Sequence, residues 1–92
     1  MTVAKRWTVD VVIDEHGEEG RTHAEARLHT GDRTDLRGTG SARRNPTDRE
    51  VPEIGDELAA ARALSDLAHR LLHAAAEDIE GFTHEKTHLR AY

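Results

Sequence analysis

The chain has 92 residues, a net charge of −5 and no cysteine. These values predict one small domain, because a chain of this size buries only about 60–65% of its unfolded surface. They exclude disulfides and thiolate zinc sites, and the lack of cysteine favours a reducing cytoplasm. No apolar run approaches the ~20 residues of a membrane span, and no secretion signal is recognised at the start.

Alternating apolar and polar residues predict three β-strands, at about residues 5–14, 21–30 and 34–44. Polar turns with glycine separate them, so we expect two successive hairpins and an antiparallel meander. The side chains expected on the inner face are Trp7, Val9, Val11, Ile13, Thr22, Ala24, Ala26, Leu28, Leu36, Gly38, Gly40 and Ala42. The small residues among them predict a shallow floor on which a helix can lie closely.

A long amphipathic helix is predicted over about residues 53–80, because apolar residues recur there at helical spacing. The arc expected to face the sheet contains Ile54, Leu58, Ala61, Leu64, Ala68, Leu71, Leu72, Ala75 and Ile79. The predicted fold class is therefore α+β: a three-stranded antiparallel meander with one long C-terminal helix packed across one face. Residues 1–81 form this single domain, and residues 82–92 are expected to be a polar, mobile tail.

Three patterns resemble chemical sites, and each has a structural interpretation that we favour. Residues 84–88 match H-E-x-x-H, a zinc protease motif, but they fall in the predicted polar tail without a helix face to orient them. His69 and His73 stand four apart on the helix and could hold a metal weakly, although two surface histidines are the simpler interpretation. The glycines of residues 38–40 fall within a strand, where they favour close helix packing over a phosphate site. The sequence thus predicts no catalytic residue, metal or cofactor, and no enzyme.

The outer face of the sheet is the main candidate for a ligand or partner. Residues 21–49 carry seven arginines and four acids, a local charge of +3 in an acidic chain. Alternation places the following candidates on this face: Arg6, Arg21, His23, Arg27, Arg37 and Arg43. The favoured interpretation is a solvated face with cross-strand ion pairs. Weak binding of nucleic acid or of another acidic ligand is the alternative, although the face has no aromatic residue on which bases could stack.

A family resemblance rests on the helix motif at residues 54–59 (IGDELA), which continues through residues 61–68 (ARALSDLA). Residues 38–43 (GTGSAR) and the strand at residues 9–13 (VDVVI) agree with it. Over about residues 6–80 the chain resembles a family of small actinobacterial proteins of unknown function. The resemblance implies a fold like the double-stranded-RNA-binding domain without its first helix, and it implies no activity or site residue. True double-stranded-RNA binders have a lysine cluster where the C-terminal helix begins, whereas this chain has Glu53, Asp56 and Glu57 there.

The leading functional hypothesis is a small non-enzymatic interaction module that forms a homodimer. The apolar arc of the helix is wider than three strands can cover, which predicts a strip of small residues free to pack on a second helix. The predicted dimer strip contains Ala60, Ala63, Leu67 and Ala74. Sheet edges offer a second route to the dimer. The alternative function is weak nucleic-acid binding through the arginine-bearing face.

Overall fold

The computed structural model describes residues 2–16, 19–31, 36–45 and 51–83. It contains three strands, β1 (Thr8–His16), β2 (Arg21–His29) and β3 (Arg37–Arg43), followed by one helix, α1 (Pro52–Thr83). The sheet has the order β1-β2-β3, and both neighbouring pairs are antiparallel. The predicted α+β meander with a long C-terminal helix is confirmed.

The element boundaries differ from the prediction at several ends. β1 begins three residues later than expected and ends two residues later, and β3 ends one residue earlier, at Arg43. α1 continues past residue 80, where the predicted helix ends, and includes Phe82 and Thr83 of the predicted tail. Thr83 Oγ1 donates a hydrogen bond to Ile79 O at 3.1 Å in this last turn. The start of the predicted third strand, the linker at residues 46–50 and the H-E-x-x-H segment lie outside the described residues.

The two glycines of β3 set the distance between helix and sheet. A Cβ on Gly38 would overlap Ala63 O and Leu67 N, and a Cβ on Gly40 would overlap Ala63 N and Ala59 O. α1 therefore lies with its backbone directly on β3, antiparallel to that strand. The core that results contains Ala24, Ala26, Leu28, Ala42, Ala59, Ala63 and Leu67, with Leu36 packed against it. Since most of these residues are alanine, the core is thin.

The helix is rotated relative to the prediction. Leu64 and Leu71, which were expected against the sheet, are exposed, as are Ile54, Leu58 and Ile79. Ala63 and Leu67 were assigned to an exposed dimer strip, but they are buried against the sheet. Ala60 and Ala74 of that strip are half-buried. The reason is the close approach of the helix to Gly38 and Gly40, which we call the glycine floor. The helix and strand backbones are so close that the helix residues in contact must be mostly alanine, and the larger side chains lie to either side.

The helix covers only part of the inner sheet face. It contacts β3 and β2 extensively but meets β1 at few positions, and every residue of β1 is exposed. The inward residues of β1 thus lie on the predicted face of the sheet but remain exposed beside the core. In the described part of the chain, no helix has the length and apolar character needed to cross a membrane.

Candidate functional site

The outer edge of β3 is occupied by side chains of the helix. Thr39 N donates to Asp66 Oδ2 at 2.9 Å, and Arg62 Nη1 donates to Ser41 O at 2.7 Å. Arg70 Nε also donates to Asp66 Oδ2, at 3.1 Å. The hydrogen bond from Thr39, supported by that from Arg70, lowers the pKa of the Asp66 carboxyl below its usual value of 3.8. Two peptide groups of this edge thus meet a side-chain partner within the same chain.

The outer edge of β1 has the opposite character. Leu28 N donates to Leu36 O at 3.0 Å, so the peptide groups of even-numbered residues in β2 point towards β3, and those of odd-numbered residues point towards β1. Arg27 and Glu25 are paired with Asp10 and Val12, whose peptide groups must therefore point back towards β2. The N–H and C=O groups of the odd-numbered β1 residues 9, 11 and 13 point away from the sheet. Within the described residues, no strand or side chain lies along them as α1 lies along β3.

An apolar row accompanies this open edge. Trp7, just before β1, is 52% exposed, and Val9, Val11 and Ile13 are 40%, 36% and 38% exposed. The three β1 side chains lie opposite Leu28, Ala26 and Ala24 of β2, on the same face of the sheet as the helix. The row thus continues the inner face of the sheet beyond the area that α1 covers.

The flank of α1 extends the same surface. Around the helix axis, Arg62 and Asp66 lie on one side of Ala63, towards β3. Leu64 and Leu71 lie about 80–100° from Ala63 on the other side, towards β1. Leu64 is 43% exposed and Leu71 is 36% exposed. We refer to Trp7, Val9, Val11, Ile13, Leu64 and Leu71 together as the open apolar face. It lies beside the open strand edge, and exposed apolar patches mark interaction sites in many proteins.

The arginine-bearing face lies on the other side of the sheet, as predicted. Arg21, His23 and Arg27 stand on β2, Arg37 and Arg43 on β3, and Arg6 shortly before β1. Glu25 Oε1 lies 3.7 Å from Arg27 Nη2 and 3.8 Å from Arg37 Nη1, so one carboxylate forms ion pairs with two arginines.

Further ion pairs extend over this face. Arg21 pairs with Glu19 at 3.5 Å, and His29 Nε2 lies 2.8 Å from Asp10 Oδ2. These contacts are the cross-strand and local ion pairs of a solvated sheet face, the interpretation favoured from the sequence.

The two helix histidines are not arranged as a metal site. His69 Nδ1 lies 2.8 Å from Ser65 O, and His73 Nε2 lies 3.2 Å from Glu77 Oε1. The described ranges contain no group of three or more His, Asp or Glu side chains that could hold a metal ion. Each histidine instead has a partner one turn away on its own helix.

A cavity of about 420 Å³ at the start of α1 was not indicated by the sequence. Its lining includes Arg21, Arg43, Arg44, Val51, Ile54 and Leu58. These residues come from β2, from the end of β3 and the residue after it, and from Val51 and the first turns of α1. The lining is therefore complete only when the helix docks. No short-range sequence pattern could have brought them together.

Comparison with known proteins identifies relatives over most of the chain. "Uncharacterized protein Mb1767" of Mycobacterium bovis is 55% identical over 87 residues, covering 95% of this chain and 89% of that protein. "Uncharacterized protein Rv2632c" of Mycobacterium tuberculosis is 51% identical over 83 residues, covering 90% of this chain and 86% of that protein. The resemblance to a family of small actinobacterial proteins is thereby confirmed.

A solved structure has the same fold. The structure titled "Crystal Structure of Rv2632c" is 50% identical, with a TM-score of 0.79 over 91% of this chain and 96% of that chain. The Rv2632c-like family model matches residues 5–88, which span all three strands and the helix. The chain therefore belongs to the Rv2632c-like family.

Proposed function

We propose that this protein is a small non-enzymatic interaction module that forms a homodimer through the open edge of β1. The observation that carries the proposal is the difference between the two edges of the sheet. Asp66 and Arg62 bond to two peptide groups of β3, whereas among the described residues no such cover lies along the outward peptide groups of residues 9, 11 and 13 in β1. Natural sheets protect their edges with lysine, proline, bulges or covering elements, and β1 (TVDVVIDEH) has neither lysine nor proline.

A second copy of the chain suits this surface in two ways. Its own β1 presents matching donors and acceptors, so that pairing two edges gives every outward peptide group a partner. The open apolar face also gains cover where the two β1 strands meet. Because the core of one chain is thin and largely alanine, additional apolar burial is valuable to a domain of this size.

The route to the dimer differs from the helix strip expected from the sequence. Ala63 and Leu67 are buried in the core of one chain and are therefore not available for a second helix. The sheet edge, the second route considered from the sequence, is supported by the exposed peptide groups and the exposed apolar row. We assign the non-enzymatic role because His29, His69 and His73 each contact one local polar group. The cytoplasm is the compartment that a cysteine-free chain suits best.

The alternative function, weak nucleic-acid binding, depends on the arginine-bearing face. Arg21 and Arg43 are directly paired across β2 and β3, which concentrates positive charge at one end of the face. The sharing of Glu25 by Arg27 and Arg37 opposes the alternative, since it reduces the charge available to phosphates at the other end.

Sedimentation velocity over a wide concentration range tests the proposal on the wild type and on Val11→Pro. The N–H of Val11 points away from β2, so proline there leaves the β1–β2 hydrogen bonds in place and removes a donor from the open edge. Val11→Lys is a second variant that keeps the backbone donor but places a charge in the apolar row. Leu64→Lys tests the part of the open apolar face that lies on the helix flank, and Ile79→Lys, at an exposed position of α1 outside that face, is the matched control.

We expect a wild-type dimer at tens of micromolar and monomers for both Val11 variants, with circular dichroism unchanged. A wild-type monomer at these concentrations would overturn the proposal. A dimer that survives both Val11 variants and is lost with Leu64→Lys would also overturn it, because association would then depend on the helix flank.

A further inference from the structure

We propose that the two copies pair β1 with β1 in one register, antiparallel about a two-fold axis that passes beside Val11. This inference rests on the proposed function and specifies the contact that the dimer would use. The resulting assembly is a continuous sheet of three strands from each chain, with the two helices antiparallel on the same face.

The directions of the peptide groups restrict the possible registers. A two-fold axis perpendicular to the sheet keeps the inner faces of both copies on one side, so odd residues must pair with odd residues. With the axis at Val11, that residue lies opposite the partner subunit's Val11, and Val9 lies opposite the partner subunit's Ile13. The outward peptide groups of residues 9, 11 and 13 then all meet partners in the ladder.

Charge distinguishes this register from its neighbours. An axis at Val12 would place Asp10 directly opposite the partner's Asp14 on both sides of the axis, and an axis at Asp10 would oppose two copies of Asp10. Like charges directly opposite one another destabilise a sheet. An axis at Ile13 avoids this conflict but puts Glu15 opposite the partner's Val11 in the apolar row.

The register at Val11 has none of these conflicts within residues 8–14, and Glu15 meets the apolar row only at its end, opposite the partner's Trp7. On the inner face, residues 9–13 of the two copies pair valine with valine or valine with isoleucine. The apolar row of each copy therefore packs beside that of the other. On the outer face Asp10 lies opposite the partner's Val12, and Thr8 opposite the partner's Asp14. At about 7–8 Å between Cα atoms, Asp14 of the partner subunit has Arg6 as one diagonal neighbour and Asp10 as the other, so the diagonal contacts do not decide the register.

Single-cysteine variants test the register directly, because the chain has no cysteine of its own. The variants are Val11→Cys, Val12→Cys and Ile13→Cys, with Ile79→Cys on the exposed helix as a control for collisions. In the proposed register the two Cα atoms of residue 11 are about 5.5 Å apart, within the range of a disulfide. The copies of residues 12 and 13 are each displaced along the strands and exceed about 7 Å, beyond that range.

We expect Val11→Cys to form a covalent dimer under mild oxidation at least tenfold faster than the other three variants. Faster cross-linking of Val12→Cys or Ile13→Cys would overturn the register, and so would equal rates for all four variants. In those cases a wild-type dimer in sedimentation would leave the proposed function standing. A wild-type monomer would overturn both the register and the proposed function.

Val12→Lys gives a second measurement that does not depend on oxidation. In the proposed register the new lysine faces the partner's Asp10, and we expect dimerisation to tighten by about two- to fivefold. With the axis at Val12, two lysines would face each other and association would weaken. Weaker association would therefore overturn the proposal.

Discussion

Thr39 on β3 donates its backbone N–H to Asp66 Oδ2 on α1 at 2.9 Å. This hydrogen bond joins the helix to the outer edge of the sheet and fixes its position to one side. Since α1 lies over β3 and β2, it protects one edge and leaves the other open. The asymmetry of the sheet follows from this contact, from the neighbouring bond between Arg62 and Ser41, and from the glycine floor beneath the helix.

The contact predicts a pH dependence of stability. The pKa of Asp66 is lower in the folded chain than its usual 3.8, so the ionised carboxylate stabilises the fold above pH 3.8. That stabilisation is lost as the pH falls through the lowered folded value, because the group is then protonated in both states. We expect Asp66→Asn to be less stable than the wild type at neutral pH and the difference to shrink in acid.

Urea unfolding from neutral pH to about pH 3 measures this difference. Asp78→Asn, at an exposed position on the same helix, is the matched control and should follow the wild type at every pH. A stability difference between Asp66→Asn and the wild type that stays constant with pH would contradict the assigned role of the carboxylate.

The glycine floor predicts opposite effects for two Gly→Ala substitutions. Gly38→Ala forces a Cβ into the backbone of α1 and should destabilise the fold by about 1–3 kcal/mol or more. Gly81→Ala adds a Cβ with no neighbour within 4 Å in the last turns of the helix, and should stabilise it by up to about 1 kcal/mol. Thermal unfolding of both variants measures the signs. A neutral Gly38→Ala would show that helix and strand are less closely packed than described.

The rotation of the helix predicts a contrast between two leucines that is the reverse of the one indicated by the sequence pattern. Leu67 is 5% exposed, and Leu67→Ala should destabilise the fold by about 2–5 kcal/mol. Leu64 is 43% exposed, and Leu64→Ala should change stability by less than about 1 kcal/mol. Chemical denaturation of the two variants at equal protein concentration makes the comparison. Equal losses would contradict the observed rotation.

The sequence was sufficient for the fold but not for the orientation of its helix. Alternation and helical spacing predicted three strands and α1, because these patterns depend on local geometry. The face that α1 turns to the sheet depends instead on the close approach at Gly38 and Gly40, which selects Ala59 and Ala63 over the larger leucines. The predicted dimer strip was wrong for the same reason, because small residues assigned to it pack against the sheet of their own chain.

The open edge could be recognised only once the position of the helix was known. β1 has the alternation of a half-buried strand, and a helix centred on the sheet would have covered its apolar row. The placement of Asp66 and Arg62 over β3 moves the helix away from β1, and no local pattern in β1 records this. The arginine-bearing face, by contrast, follows directly from alternation, and all its residues that fall within strands lie on the expected side of the sheet.

The ion pairs of the arginine-bearing face predict that nucleic acid binds weakly or not at all. Glu25 lies close to both Arg27 and Arg37, and the chain as a whole is acidic. Anisotropy titrations with labelled duplex RNA, duplex DNA and single strands should show no salt-sensitive binding. Replacing Arg27 and Arg37 with alanine should then change nothing. Micromolar binding that falls steeply with salt and disappears in this double variant would instead support the alternative function.

Amide hydrogen exchange along β1, followed by NMR as a function of protein concentration, tests self-association through the open edge most directly. Asp10 and Val12 are internal controls, because their N–H groups bond to β2 within one chain. The account predicts that the amides of Val9, Val11 and Ile13 become protected as the concentration rises, while the protection of the two controls stays constant. Rapid exchange at residues 9, 11 and 13 at every concentration, with the two controls protected throughout, would contradict it.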